Sequence, residues 1–198
     1  MQTRFDSDKH QYYINDRPVR SVTQVLKEVL PESIWQASEW HLQRGTAVHA
    51  CMALLARGKK FEHDPAIAGQ VAAGIKWFAD MQPDMVAIEE HLYSEPYQFA
   101  GTPDLICRSP EFGSKALTIV DWKTSIMPVH YIQLGGYGLL YPSAKKGMIV
   151  ALQEDGQYKC SKVFELEPYK REFMACRSVA AIKQRMGLNK QKEDADVK

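Results

Sequence analysis

Two carboxylates and one amine stand near the ends of two predicted strands, where they could serve a metal-dependent hydrolysis. Asp104 ends the GTPD segment at residues 101–104, and Asp121 and Lys123 flank Trp122 at the end of an apolar run. Because side chains alternate along a strand, Asp121 and Lys123 share one face while Trp122 turns to the other. Carboxylates can hold Mg²⁺, and an ammonium group can position the attacking water or stabilise the transition state. The set therefore fits phosphodiester hydrolysis, although an Asp-x-Lys triplet alone is more often a surface ion pair.

A histidine upstream could add a nitrogen ligand to this set. His49 lies three residues beyond Thr46, in the first turn of a predicted helix that begins after Gly45. A histidine in this position can also be satisfied locally near the helix start. Because Gly45 tightens the approach and the Arg44 guanidinium can reach a phosphate, we interpret His49 as a metal ligand with a basic neighbour.

Three further polar residues are candidates for the same site. Glu90 shares the apolar face of the strand predicted at residues 85–93, and either a nearby metal or a bridging water could explain a carboxylate there. Glu89, on the other face, should be solvated. Gln133 and Tyr137 lie four residues apart and share one face of the helix predicted after the Asp-Trp-Lys strand. Judged alone, Gln133 could also be a core glutamine bonded to the backbone.

The composition is that of an ordinary globular protein rather than a strongly basic one. The 198 residues suffice for one well-buried domain, with 45% apolar residues, 25% charged residues and a net charge of +1. No global basic field marks a nucleic-acid partner, but a nuclease needs only a locally basic groove. The N-terminus lacks the apolar run of a signal peptide, and no apolar stretch reaches membrane-spanning length. We therefore expect a cytoplasmic protein with no membrane partner.

The four cysteines are widely spaced, and none forms a Cys-x-x-Cys pair. A zinc knuckle or a cysteine-ligated cluster has little support from this spacing, and reduced, mostly buried thiols are expected instead. No Walker-type GK(S/T) segment is present, so any helicase partner would be a separate chain.

The predicted elements form one α/β domain with a helical N-terminal half. A hairpin is expected over residues 5–19, and Ser21 is a candidate N-cap for the helix that follows. Helices are predicted over residues 22–30, 34–42, 46–57, from about 64 to before 83, 129–140, and from after 168 to near 187. Strands are predicted over residues 85–93, 99–108, 117–123, 148–152 and 159–166. Pro103 predicts a distortion of the second of these strands where Asp104 emerges.

These elements predict a central mixed sheet of about five strands flanked by helices. The domain should occupy residues 1–188. Residues 189–198 are charged and poor in apolar side chains, so they should form a disordered tail.

Four motifs follow one another in an order and spacing that resemble the RecB-type branch of the PD-(D/E)xK nuclease superfamily. They are GTAVH at residues 45–49, GTPD at 101–104, DWK at 121–123 and QxxxY at 133–137. The segments at residues 12–14 and 19–26 also resemble the start of compact, phage-borne members. The resemblance covers about residues 10–140, and it implies a single restriction-endonuclease-like domain. Each motif is weak alone, and the ordered set is specific.

The resemblance implies a ligand set for Mg²⁺ or Mn²⁺. It consists of His49, Asp104, Asp121 and the backbone carbonyl of Trp122. Lys123 would orient or deprotonate the attacking water.

The resemblance also implies roles around this ligand set. Gln133 and Tyr137 would contact the DNA backbone or brace the lysine, and Glu90 matches a less regular acidic position of the family. Some relatives carry a four-cysteine iron–sulfur cluster with one cysteine ahead of the histidine. Here no cysteine precedes His49 and the C-terminal cysteines do not make a triplet, so no such cluster is expected.

The resulting hypothesis is a metal-dependent DNA exonuclease that serves recombination or replication of a phage or prophage. DNA is the expected partner, and a separate recombination or single-strand-binding protein could accompany it. The rivals are a structure-specific or nicking endonuclease, a degenerate nuclease fold that binds DNA without cutting it, and an unrelated α/β protein with coincidental motifs. The oligomeric state is not predicted.

Overall fold

The fold is known from a computed structural model that describes residues 1–35 and 39–188. The strands, labelled β1 to β11 in chain order, are Thr3–Asp6, Gln11–Ile14, Arg17–Ser21, Asp84–Ile88, Leu92–Ser94, Phe99–Gly101, Leu105–Ser109, Ser114–Lys123, Lys146–Leu152, Tyr158–Cys160 and Phe164–Glu165. The helices, labelled α1 to α5, are Val22–Val29, Glu39–Ala56, Ala68–Met81, Pro128–Leu140 and Glu167–Arg185. The mixed α/β class predicted from the sequence is confirmed. The tail predicted at residues 189–198 lies outside the described residues.

The central layer is a mixed sheet with the strand order β10-β9-β8-β7-β4, in which β11 also pairs with β9. Strands β8 and β9 run parallel, joined through α4, and the other neighbours are antiparallel. Helices α1, α4 and α5 cover one face, where Ile106, Ile119 and Ile149 are buried. Helices α2 and α3 cover the other face over Val120 and Trp122. Alternate side chains of β8 thus lie in two separate hydrophobic cores, one on each face of the sheet.

A smaller sheet, with the order β1-β2-β3-β6-β5, stands beside the central one. Its hairpin turn is made by Asn15 and Asp16, which both have positive φ angles, 48° and 59°. Ser21 ends β3 and caps α1, because its hydroxyl accepts from the Gln24 N–H at 3.1 Å and the Gln24 side chain accepts from its N–H at 2.7 Å. The sequence predicted the hairpin and the cap but not a second sheet.

Two strands predicted as continuous are each broken, and the breaks carry the chain between the sheets. The strand predicted at 85–93 separates into β4 and β5, and the strand predicted at 99–108 separates into β6 and β7. Strands β4 and β7 belong to the central sheet, while β5 and β6 belong to the smaller one. Pro103 lies in the second break, where the sequence predicted a distortion. Asp104 therefore stands where the chain passes from one sheet to the other.

Helix α2 is longer than predicted and changes the setting of His49. It runs without interruption through Gly45, so His49 lies in its third turn rather than in a first turn. A side chain at Gly45 would meet nothing within 4 Å, so packing within the chain does not require a glycine there. The predicted break between two helices was therefore wrong, because one glycine weakens a helix by only about 1 kcal/mol.

None of the helices in the described ranges is long and apolar enough to cross a membrane.

Candidate active site

Strand β8 ends in three residues whose side chains alternate between the two cores. Trp122 is 2% exposed and packs edge-on against Trp77, with ring centroids 4.9 Å apart. Asp121 and Lys123 point to the opposite side, where the ammonium group forms an ion pair with Oδ2 of Asp121. The indole therefore fixes the strand end, and the strand's alternation brings acid and amine together.

Asp104 joins the strand end to helix α2 through both of its carboxylate oxygens. Oδ2 accepts the backbone N–H of Trp122 at 2.7 Å. Oδ1 lies 3.0 Å from Nδ1 of His49. The side chains at positions 49 and 104 thus form one pair and those at 121 and 123 another, and the backbone N–H of Trp122 joins the two pairs, although their residues come from a helix, a crossing segment and a strand.

Burial and mutual charge determine the protonation of this set. Burial raises the pKa of Asp121 to about 6, opposed by the charge of Lys123. Burial also disfavours the charged form of Asp104, but the neighbouring His49 outweighs it and holds the pKa of that carboxyl below its ordinary value. The pKa of His49 is raised, because Asp104 outweighs the effect of burial. The pKa of Lys123 is raised by the two acids, which outweigh its own burial.

These groups satisfy one another in pairs instead of forming a ready-made cage. Within residues 1–35 and 39–188, no three histidine, cysteine or carboxylate side chains converge as a metal site. The donors nevertheless suit Mg²⁺ or Mn²⁺, which prefer carboxylate oxygens and accept an imidazole. Among the described residues, the buried Oδ2 of Asp121 contacts only the Lys123 ammonium group. A metal ion bound there would share this oxygen with the amine or take its place.

We call His49, Asp104, Asp121 and Lys123 together the acidic set. Glu89, rather than Glu90, faces it. Strand β4 ends at Ile88, and Glu89 adopts a φ of 49° that breaks the alternation expected from the sequence. Its N–H donates to the Asp104 carbonyl at 3.1 Å, and its carboxylate lies 3.6 Å from the Arg57 guanidinium. Burial and the nearby Asp104 raise the pKa of Glu89. Glu90 is exposed, so the expected assignment of the two side chains to site and solvent is reversed.

Gln133 and Tyr137 form part of the wall behind the acids. Both are buried on α4, and Nε2 of Gln133 donates to the Tyr137 hydroxyl at 3.0 Å and reaches Oγ1 of Thr23 at 3.4 Å. Burial, followed by the charges of Asp121 and Asp104, raises the pKa of Tyr137 well above its ordinary value. The phenol therefore keeps its proton, which is available to a neighbouring acceptor.

Arg44 is committed to other partners than the acidic set. Its guanidinium donates to the Ala66 carbonyl at 2.6 Å and lies 3.0 Å from a carboxylate oxygen of Glu154. These contacts tie α2 to the turn before α3 and to the loop after β9. Arg57, which the sequence analysis did not single out, is the guanidinium beside Glu89.

Comparison with known proteins finds similarity in structure but no match in sequence. No protein-family model matches it, and no curated protein matches its sequence. The structure is similar to an alkaline exonuclease (LHK-Exo) from Laribacter hongkongensis, with a TM-score of 0.42 and 12% identity over 85% of this chain and 92% of that one. The complex of LHK-Exo with dAMP gives a TM-score of 0.45 and 12% identity over 85% and 89% of the two chains.

Proposed function

We propose that this chain is a metal-dependent DNA exonuclease that hydrolyses phosphodiester bonds with an activated water. The observation that carries the proposal is the grouping of His49, Asp104, Asp121 and Lys123, in which two ion pairs are joined through the Trp122 N–H. Two acids and an imidazole beside an ammonium group combine ligands for a hard cation with a positive group for a phosphate.

The metal would be held by His49, Asp104, Asp121 and the backbone carbonyl of Trp122. A bound Mg²⁺ or Mn²⁺ lowers the pKa of a water molecule and neutralises charge on the phosphate. The N–H of Trp122 holds one oxygen of Asp104 and the imidazole holds the other. Those contacts keep the carboxylate in a fixed orientation, which reduces the reorganisation needed when it binds a metal ion.

Lys123 serves as a positive group rather than as a base. The two acids raise its pKa, so the amine carries its proton at neutral pH. A protonated amine donates hydrogen bonds and can orient a water or stabilise negative charge on a phosphate in the transition state. Of the two roles implied by the family resemblance, orientation is the one that this protonation state favours.

In this proposal Gln133 and Tyr137 support the acids and do not contact DNA. Both side chains are at most 8% exposed, which leaves little surface for a phosphate. The hydrogen bond from Gln133 leaves the Tyr137 proton free to point toward the buried carboxylates. Of the two roles implied by the resemblance, contact with the DNA backbone and bracing of Lys123, we propose a bracing role, directed here at the two acids.

Exonuclease and endonuclease activity are separated by the topology of the substrate. Two linear DNA substrates are compared, one labelled at the 5′ end and one at the 3′ end. We expect both to be digested with Mg²⁺ and to survive in a chelator. One of the two should lose its label first. Closed circular single-stranded DNA should stay intact. Cutting of the circle would show that the protein is an endonuclease and not an exonuclease.

A non-catalytic DNA-binding role is the alternative from another class. It predicts retention of DNA in a filter assay with no cleavage in Mg²⁺ or Mn²⁺. The presence of both acids, the histidine and the lysine favours catalysis, because these are the groups whose loss would abolish it. A role in recombination or replication of a phage or prophage belongs to the same proposal.

A further inference from the structure

Outside the acidic set, five aromatic rings gather on one face of the smaller sheet. They are Phe5, His10, Tyr12, His91 and Tyr93. The rings of Phe5 and His91 lie 4.2 Å apart with a tilt of 37°, and the ring of Tyr12 lies 4.6 Å from that of Phe5. His10 and Tyr93 meet this trio edge-on at 5.3 and 5.8 Å. We call these five residues the ring cluster.

The ring cluster is anchored in the core but open at its surface. Tyr12 is 2% exposed, whereas Phe5 and Tyr93 are half-buried and both imidazoles are exposed. The His91 ring is held by the Phe5 face and by a 2.7 Å contact between its Nδ1 and the Thr102 hydroxyl. Fixing an exposed side chain costs entropy without much burial in return. A core function alone does not account for an exposed ring held in this way.

Two chain connections place the ring cluster next to the acidic set. The Thr102 hydroxyl, which also contacts the Tyr12 hydroxyl at 2.7 Å, stands two residues before Asp104. On the other side, Glu89 donates its N–H to the Asp104 carbonyl and stands two residues before His91. Two residues span at most about 7 Å of chain, so rings and acids are within reach of one short stretch of nucleic acid.

We propose that the ring cluster is a nucleobase-stacking subsite that receives the terminal base of a single DNA strand. The proposal rests on the nuclease function proposed above and adds the site that holds the strand end. Aromatic rings stack on any base, because every base has a π-face, so the subsite would bind without reading sequence. Such a contact would hold the strand end in place beside the acids.

Fluorescence of a terminal base tests the subsite without any cleavage. Two short single-stranded oligonucleotides carry 2-aminopurine, one at the 5′ end and one at the 3′ end, and are titrated with protein in a chelator. Wild type should quench the probe at one of the ends, because a stacked 2-aminopurine loses fluorescence. His91→Ala and Phe5→Leu should abolish this quenching and weaken binding at least about fivefold. Leucine keeps the apolar volume of Phe5 and removes only its aromatic face.

His63→Ala supplies the matched control. His63 is also an exposed histidine with an aromatic neighbour, Phe61, at 6.4 Å, but it lies after α2 and away from the smaller sheet. We expect its variant to bind and quench as wild type does. An oligonucleotide with an abasic terminus should bind wild type as weakly as the normal oligonucleotide binds His91→Ala.

The outcomes separate this inference from the proposed function. If wild type digests DNA with Mg²⁺ while neither end is quenched, or while His91→Ala binds as tightly as wild type, the stacking subsite is wrong and the nuclease stands. If wild type quenches one end and His91→Ala does not, but no DNA is digested with either metal, the subsite stands and the nuclease is wrong. If Phe5→Leu fails to fold, His91→Ala and His10→Ala still decide the matter at exposed positions.

Discussion

Glu89 combines a backbone conformation that costs energy with a position beside the acidic set. A non-glycine residue with a φ of 49° is destabilised by about 1–2 kcal/mol. The surrounding contacts hold it there, since its N–H bonds to the Asp104 carbonyl and its carboxylate faces Arg57. Strain of this kind concentrates at functional sites. It brings a third carboxylate toward the two that we propose as ligands.

The pair of adjacent glutamates gives a test of this position. We expect Glu89→Gln to raise the Mn²⁺ concentration needed for half-maximal DNA digestion by about 10–100-fold, because the loss of a supporting carboxylate typically lowers metal affinity by this factor. Glu90→Gln removes the same charge from an exposed neighbour and should leave digestion unchanged. Titration of activity with Mn²⁺ makes the comparison. Equal effects of the two substitutions would show that Glu89 has no special place in the site.

At the scale of elements, helix α4 carries Gln133 and Tyr137 and packs closely on α5. A side chain at Gly135 would come within 2.3 Å of the Tyr169 backbone. We expect Gly135→Ala to destabilise the protein by about 1–3 kcal/mol, because α5 would have to move outward. Gly45→Ala is the control, since it lies within α2 with nothing within 4 Å and should stabilise by up to about 1 kcal/mol. Urea unfolding measures both, and a Gly135→Ala midpoint equal to wild type would contradict the close packing.

The start of α4 gives the folded protein a sensitivity to acid. His130 is buried, and its Nδ1 accepts the Met127 N–H at 3.1 Å. Burial, assisted by the charge of Lys123, lowers the pKa of His130 to about 4. Between this value and the pKa of about 6.5 in the unfolded chain, only the unfolded state binds the proton. The contribution to stability is therefore complete above pH 6.5 and is lost as the pH falls toward 4.

His130→Asn should remove this part of the pH dependence. Asparagine has an oxygen that can accept the Met127 N–H but has no proton to gain in this range. We expect the loss of unfolding free energy of wild type between pH 6.5 and pH 4 to exceed that of the variant by up to about 3 kcal/mol. Urea unfolding at a series of pH values gives both curves. Parallel curves would mean that His130 titrates normally in the folded protein.

Element boundaries could be predicted where local chemistry sets them and not where tertiary pairing does. Ser21 predicts the start of α1 because its own side chain caps the helix, and the structure adds the reciprocal bond from Gln24. The breaks at residues 89–91 and 102–104 depend on which strands pair in which sheet. Only Pro103 marked one of them in advance. Glu89 carries no such mark, which is why alternation along one long strand turned Glu90 inward and Glu89 to solvent, the reverse of their exposure in the structure.

At the scale of the whole molecule, the candidate site lies where the chain passes between two sheets. The central sheet supplies Asp121 and Lys123, the crossing segment supplies Asp104, and α2 supplies His49 from 55 residues upstream of that aspartate. The sequence could indicate these four residues because their types suit one chemistry and their motifs follow a known order. It could not indicate Arg57 or the ring cluster, because those positions have no motif and meet the site only through the fold.

Asp104 and Lys123 have different tasks in the proposed active site, so one pair of variants tests it directly. Mn²⁺ binding by calorimetry and digestion of linear DNA are measured on the same preparations, with circular dichroism to verify folding. Asp104→Asn should lose both metal binding and digestion, because a ligand is gone. Lys123→Ala should still bind Mn²⁺ but digest DNA at least about a hundredfold more slowly, because only the positive group is gone. Digestion at the wild-type rate by both folded variants would contradict the proposed active site.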